Sequence, residues 1–427
     1  MGDYMEVLSV GEKIKRARIY KGFTLKDICG DTISVSKLSC IENGKITPEE
    51  WVLDYVAAKL DLSPSYLKLG IEEQINCNLK QIMSDSKYED YEEKLKYNLN
   101  LAEKFGYYDL AFHIMHLIFE YLLNNKEFKK TQELLGRYYD LCNNSSDKYK
   151  RLTYYMDVAK FFFKNGEVPQ AANYFSNVRK SLADDKEKDY VMFADSIYGE
   201  VKCNIILKNY EKAYKVAATL NELFEHIEDN FKKAKMYHMM ALLSLRMNNG
   251  EFEEYELKSY EIYGDKNDCK GEDILGYAST MFEIGQRDRA IKYIDRALEI
   301  YPNENEKKQV RFMLLCIEEL INNGAIQEAE ELIEKVLDHS INLDNIRFIE
   351  KSYYLKSKIL QNKNNLISAE MYMNLSLDAL AKFGTKKEVY DRYMEMGKMY
   401  FDMECPKEAL KYFTLAIGLQ KNYKRPN

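Results

Sequence analysis

Between Ser34 and Lys45 the chain sets Val35, Ser36, Lys37, Ser39, Cys40 and Asn43 around two apolar residues, Leu38 and Ile41. On a helix that spacing turns Leu38 and Ile41 inward and leaves short, weakly polar side chains outside. Hydroxyls, a thiol, a carboxamide and one ammonium on a short helix suit hydrogen bonding to base edges in a DNA major groove. Small side chains there let the backbone come close. Arg16, Arg18, Lys21, Lys26 and Lys45 accompany this stretch as candidate phosphate contacts. The bland counter-reading is a five-helix packing module with ordinary surface residues.

Five helices are expected to position these residues. Val10–Tyr20 carries Val10, Ile14 and Ala17 at helical spacing and stops at Gly22. Thr24 caps a second helix, Leu25–Cys29, with Asp27 in the capping-box position, and Gly30 ends it. Ser34 caps the third, and Gly44 terminates it. Thr47-Pro48-Glu49-Glu50 is expected to open a fourth helix, with Thr47 as cap and Pro48 in the first position. Ser63-Pro64 opens a fifth.

Lys21-Gly22, Thr24-Leu25-Lys26-Asp27, Gly30-Asp31, Ser34-Val35-Ser36, Leu38-Ser39, Ile41-Glu42 and Gly44 together resemble an XRE-type helix-turn-helix. More closely, they resemble the version that opens the Rgg-like members of the RRNPP peptide-pheromone receptors. The resemblance implies that the third helix reads bases and that Glu42 is structural. It implies a double-stranded operator with two half-sites, a homodimer, and a secreted, re-imported peptide as ligand. Regulators that look like this control sporulation, toxin production or competence. Cys40 departs from the pattern, standing where such sequences often carry a basic residue.

The rest of the chain repeats itself. Ala171, Ala213, Ala290, Ala329, Ala369 and Ala409 each follow a turn. Tyr255 holds the place between Ala213 and Ala290, and Thr131 extends the series upstream, with steps of 35 to 42 residues. Each begins the packed face of a second helix. The pattern resembles tetratricopeptide repeats with lengthened helices, clearest at Tyr393, Met396, Gly397, Tyr400, Ala409, Phe413 and Ala416, and next around Tyr277-Ala278 and Ala290 to Pro302. The expected fold is therefore all-α: a five-helix DNA-binding head over residues 1–70, linker helices over 71–106, and a right-handed tetratricopeptide-like α-solenoid of about eight hairpins over 107–427.

The inward positions of such an array map to Met156, Lys160 and Phe163; Tyr198 and Lys202; Tyr237, Met240 and Ser244; Phe282; Arg311; and Tyr354 and Lys358. Aromatic and methionine side chains with interspersed cations suit a short peptide, whose apolar groups they cover while Lys or Arg meets a carboxylate. Packing within the solenoid is the alternative for many of them, since 35 tyrosines must be accommodated.

Composition sets the outer limits. The chain has 427 residues, of which 46% are hydrophobic and 31% charged, and only 6 are prolines, which suits a folded helical protein of more than one compact core. Residues 9–46 carry a net +4 within a formal total of −7, so this stretch is locally basic and the rest of the chain carries −11. The 8 cysteines show no CxxC spacing, which points to buried thiols in a reducing cytoplasm rather than to zinc. Ala111 to Leu123, the most apolar run, is broken by His113, His116 and Glu120 and is too short and too polar to span a membrane. His113 and His116 could share a metal, but no carboxylate or thiol partner is evident in the sequence, so neither metal nor cofactor is expected. No phosphate loop or nucleophile elbow occurs, so no enzymatic activity is expected. The leading expectation is a peptide-responsive transcription regulator. The competing one is a protein-sequestering adaptor that inhibits a phosphatase or response regulator.

Overall fold

The computed structural model describes residues 6–84, 90–144, 147–185 and 187–421. The stretches 1–5, 85–89 and 422–427 of the expected head, linker and array lie outside the described residues. Among the described residues every regular element is helical, with 23 α-helices and two short 3-10 turns. The chain divides into two compact units, Met1–Lys208 and Asn209–Asn427.

The first unit opens with α1 (Val10–Tyr20), α2 (Leu25–Cys29), α3 (Val35–Glu42), α4 (Glu50–Leu60) and α5 (Pro64–Lys68). Their core joins Ile14, Ile28, Leu38, Ile41, Val52, Val56, Leu60 and Leu67. Local chemistry accounts for most of the boundaries. The Ser9–Glu12 and Thr24–Asp27 pairs form reciprocal capping boxes, and Ser34 accepts from the Lys37 backbone N–H. Pro64 sits in the first turn of α5 behind Ser63. The fourth helix differs from expectation. It starts at Glu50, with Glu49 in the cap position and no side-chain cap bond, while Thr47 and Pro48 stay outside. The first turn closes instead on the Glu49 carbonyl, which accepts from Val52 and Leu53.

A tight joint follows the five helices. Lys13 is almost fully buried, and its ammonium donates to the carbonyls of Tyr66 (2.8 Å) and Leu69 (2.7 Å). Burial pulls its pKa down to about 8. The Gln74 carboxamide accepts from Leu8 N–H and donates to the carbonyls of Leu8, Leu69 and Gly70. Gln74 belongs to α6 (Ile71–Ser84), and α7 (Tyr91–Lys104) packs on α6.

The unit continues with α8 (Tyr108–Asn124), α9 (Phe128–Asn143), α10 (Lys148–Lys164), α11 (Val168–Ala183) and α12 (Tyr190–Ile206). Here α8 packs on α9, α10 on α11, and α10 on both α8 and α12. The second unit contains α13 (Tyr210–Ala217), α14 (Asn230–Met247), α15 (Phe252–Tyr263), α16 (Asn267–Glu283), α17 (Arg287–Ile300), α18 (Glu306–Asn322), α19 (Ile326–Asn342), α20 (Ile346–Asn362), α21 (Leu366–Phe383), α22 (Lys386–Asp402) and α23 (Pro406–Lys421). From α14 onward they pair in order as hairpins, and α14 packs on α16, α16 on α18 and α18 on α20. This is the side-by-side arrangement of tetratricopeptide hairpins.

The repeat register is visible in burial. Thr131, Ala171, Ala213, Tyr255, Ala290, Ala329, Ala369 and Ala409 are all buried. Five residues before each of them the backbone turns left-handed, at Lys126, Gly166, Lys208, Gly250, Gly285, Gly324, Asn364 and Glu404. Only half of these turns use glycine, the residue that adopts this conformation without steric cost. Close helix crossing also has its own residues: a β-carbon on Gly199 or Gly397 would lie 2.5 Å from the ring of Phe175 or Phe413.

Candidate functional site

The third helix is held in the head by its buried face. Leu38 and Ile41 are fully buried, and Glu42 is nearly so. Gly11 lets α1 approach directly, since a β-carbon there would fall 2.3 Å from the Ile41 carbonyl oxygen. Val35, Ser36, Asn43 and Lys45 are exposed, and Ser39 and Cys40 are half-buried. At 100° per residue, Val35, Ser36, Ser39, Cys40 and Asn43 share one continuous arc. The Asn43 carboxamide donates to the Ser39 carbonyl at 2.8 Å and so closes the C-terminal end of the helix.

The flanking cations differ in what holds them. Arg16 is exposed and paired with Glu6 through two bonds of 2.6 and 2.9 Å, and that pairing holds the Glu6 carboxyl below its ordinary range. Lys21 lies 3.6 Å from Asp61, and Lys26 is exposed. Arg18 does not fit the phosphate-contacting role expected of it. Its Nε and one terminal nitrogen donate to the two Glu42 oxygens at 2.6 and 2.9 Å, and the other terminal nitrogen donates to the Phe23 carbonyl at 3.0 Å. Only 15% of the Arg18 side chain and 4% of the Glu42 side chain are exposed, so the pair braces α1 against α3.

Lys37 also departs from expectation. It sits at the edge of the arc, between Cys40 and buried Ile41, and turns toward the start of α4. Its ammonium lies 3.1 Å from a Glu49 oxygen and 5.3 Å above the Trp51 ring. The Trp51 indole N–H donates to the other Glu49 oxygen. Neither Glu49 nor Trp51 stands out in the sequence as part of this surface. The available signal was the chain's single tryptophan two residues beyond an acid.

In the first unit, the expected ligand-facing residues gather into two patches. The first lies between α8 and α10. Asp157, fully buried, accepts from the Tyr138 hydroxyl at 2.8 Å and lies 2.6 Å from His116 Nδ1. Lys160 completes the group, 3.2 Å from Glu120 and 3.5 Å from Asp157. Burial lowers the His116 pKa, but the Asp157 bond and charge outweigh it and leave it raised. His116 therefore does have carboxylate partners, contrary to the sequence reading, and one ligand atom each of His116, Glu120 and Asp157 lie within 4.8 Å of one another. The Lys160 ammonium already pairs with both of those acids. In the second patch, the Lys202 ammonium rests over both Phe163 (5.2 Å) and Tyr198 (5.3 Å). Met156, by contrast, is buried in the packing and offers no ligand surface.

In the second unit the expected set separates. Tyr237 stacks on Phe224 at 3.9 Å between ring centres. Ser244 is buried and donates to the Asn249 side chain, so it serves the turn after α14 and not an open face. Met240 is buried too, although it lines a cavity of about 180 Å³ with Tyr214, Asn221, Glu251 and Tyr255. Phe282 is half-buried. Arg311 is exposed and borders a cavity of about 160 Å³ with Asp268, Glu272, Tyr301 and Lys308. Tyr354 and Lys358 do come together. The Arg392 guanidinium stacks 3.5 Å from the Tyr354 ring centre, the tyrosine hydroxyl donates to Glu395 at 3.0 Å, and Lys358 pairs with Glu395 at 3.0 Å. Burial holds the Arg392 pKa below its ordinary value, against the pull of Glu350, which Arg392 meets at 2.8 Å.

Among the described residues no helix is long and apolar enough to cross a membrane. Residues 276–304, which span the C-terminal part of α16 and all of α17, match the tetratricopeptide repeat family. None of the curated proteins matches the chain at a significant level. Among solved structures it is similar to the apo form of the quorum sensor NprR from Bacillus thuringiensis, at 15% identity and a TM-score of 0.45, over 82% of this chain and 99% of that one. It is also similar to aspartyl phosphate phosphatase F from Bacillus subtilis, at 13% identity and a TM-score of 0.44, over 98% and 96%. A third likeness is to PlcR from Bacillus thuringiensis in complex with a peptide and DNA, at 16% identity and a TM-score of 0.35, over 65% and 99%. No residue role follows from likenesses at these levels.

Proposed function

We propose that this chain is a DNA-binding transcription regulator of the Rgg-like RRNPP type, whose repeat array takes a short signalling peptide and whose active form is a homodimer on a two-half-site operator. The observation that carries this reading is the third helix. Its buried side is fixed by Leu38, Ile41 and the Arg18–Glu42 brace, and its outer arc of Val35, Ser36, Ser39, Cys40 and Asn43 has small side chains. An arc of that kind admits the backbone to base edges. For the peptide, the reading favours two patches, Phe163–Tyr198–Lys202 and Tyr354–Lys358–Arg392, each of which sets cations against aromatic faces. No catalytic step is assigned to any residue.

The experiment is a mobility-shift and footprinting assay on genomic fragments selected by the protein. The double variant Ser36→Ala, Ser39→Ala is expected to lose specific binding about thirty-fold or more, of the order of two lost contacts at about 1–3 kcal/mol each, with helicity by circular dichroism unchanged. Unchanged binding would remove α3 as the reading helix. No footprint from the wild-type chain, together with stable capture of a phosphatase or response regulator, would instead favour the sequestering adaptor.

A further inference from the structure

The only basic side chain on the third helix is occupied. Lys37 pairs with Glu49 and lies over Trp51, and Trp51 donates its indole N–H to the same carboxylate. Glu49 stands at the cap position of α4, yet its carboxylate makes no cap bond, so the helix does not require it. Trp51 lies outside the head core and is 47% exposed, so apolar packing does not explain its position either. The three side chains form a small closed group on the surface beside the exposed arc of α3.

We propose that Glu49 is a specificity-determining residue of the nucleic-acid interface: it withholds Lys37 from the phosphates of an arbitrary duplex. The inference rests on the DNA-binding reading of the head. Binding to arbitrary sequence is almost wholly electrostatic, so one acid beside the only cation of the helix weighs heavily there. Binding to the operator also draws on base contacts from Val35, Ser36, Ser39, Cys40 and Asn43, none of which Glu49 touches. Glu49 therefore lowers non-specific binding more than specific binding. It acts through Lys37, as a positioning residue, and Trp51 fixes the orientation of its carboxylate.

The test uses the full chain and a random-sequence duplex, with binding followed by anisotropy of labelled DNA over a range of salt. Glu49→Gln is expected to bind this duplex about five- to ten-fold more tightly at low salt, with a salt slope steeper by about one. Two controls separate position from charge. Glu50→Gln removes the same charge one residue away, where the carboxylate serves Lys68 at 2.8 Å, and is expected to change binding less than two-fold. With Lys37→Ala in the background, Glu49→Gln is expected to give no gain. The free Glu49→Gln protein should also show a shifted Trp51 emission, because the charged acceptor of the indole N–H becomes a neutral carboxamide oxygen. Equal affinity of Glu49→Gln and wild type, an equal gain from Glu50→Gln, or a gain that persists without Lys37 each overturns the inference. If the wild-type chain binds no duplex even at low salt, the DNA-binding reading fails, and this inference with it.

Discussion

At the scale of single residues, the head shows how one spacing serves two opposite purposes. Arg18 and Arg16 are two positions apart on α1, and in sequence they are equivalent cations on a basic helix. In the fold Arg16 is a surface charge with one carboxylate partner, whereas Arg18 makes three bonds across an almost closed contact. Arg18→Ala leaves the Glu42 carboxylate buried without its cation, and breaking such a pair costs about 3–5 kcal/mol. A loss of that size is expected in the unfolding free energy of the head, read by guanidinium denaturation. The single tryptophan of the chain, Trp51, lies in the head and reports on it selectively. Arg18→Lys is expected to recover only a small part, because an ammonium cannot span both carboxylate oxygens and the Phe23 carbonyl at once. A loss below about 1 kcal/mol for Arg18→Ala would mean that the pair is surface-like in solution. The role of Glu42 was open to sequence reading through the resemblance, but its partner was not, since Arg18 lies 24 residues away on another helix.

At the scale of elements, helix starts governed by local bonds were readable and those governed by neighbours were not. The Thr24–Asp27 box, the Ser34 cap and Pro64 involve residues within one turn, so spacing alone identifies them. Thr47-Pro48 carries the same kind of signal, yet α4 begins later, with Glu49 engaged by Lys37 and Trp51. The hairpin turns behave likewise. Gly285 and Gly324 mark their turns in the sequence, but Lys126, Lys208, Asn364 and Glu404 adopt the same left-handed backbone against their own preference. The packing of the following helix at its buried register residue imposes it. Such strain can be relieved by substitution. Glu404→Gly removes a left-handed cost of about 1–2 kcal/mol and adds chain entropy of about 0.5–1 kcal/mol, for a net gain near 0.5 kcal/mol. Gly285→Ala is expected to lose about 1 kcal/mol at the equivalent turn. Urea unfolding followed by circular dichroism checks both, and the same sign for the two changes would contradict a shared turn geometry.

At the scale of the whole molecule, charge and stoichiometry matter most. Residues 9–46 carry +4 on a chain of −7, so attraction to DNA is confined to that stretch. The reading arc of α3 has no free cation of its own once Lys37 is paired with Glu49, so the proposed function depends on joining two heads on one operator. The expected result in sedimentation of the chain with a footprinted operator duplex is two chains per duplex at saturation. A single chain bound with full footprint would contradict the dimer. What the sequence determined by itself was whatever depends on neighbours along the chain: the all-helical class, the caps of α2 and α3, and a repeat register running from Thr131 to Ala409 through eight buried positions. What only the tertiary structure decided was the employment of the polar side chains. Arg18 became a brace, Lys37 a latched cation, Lys160 the counter-ion of Asp157 and Glu120, and Ser244 a turn partner. The physical reason is range. Helix propensity and hydrophobic period act over one or two turns. An ion pair or a buried hydrogen bond depends on which distant residue the packing brings within about 3 Å.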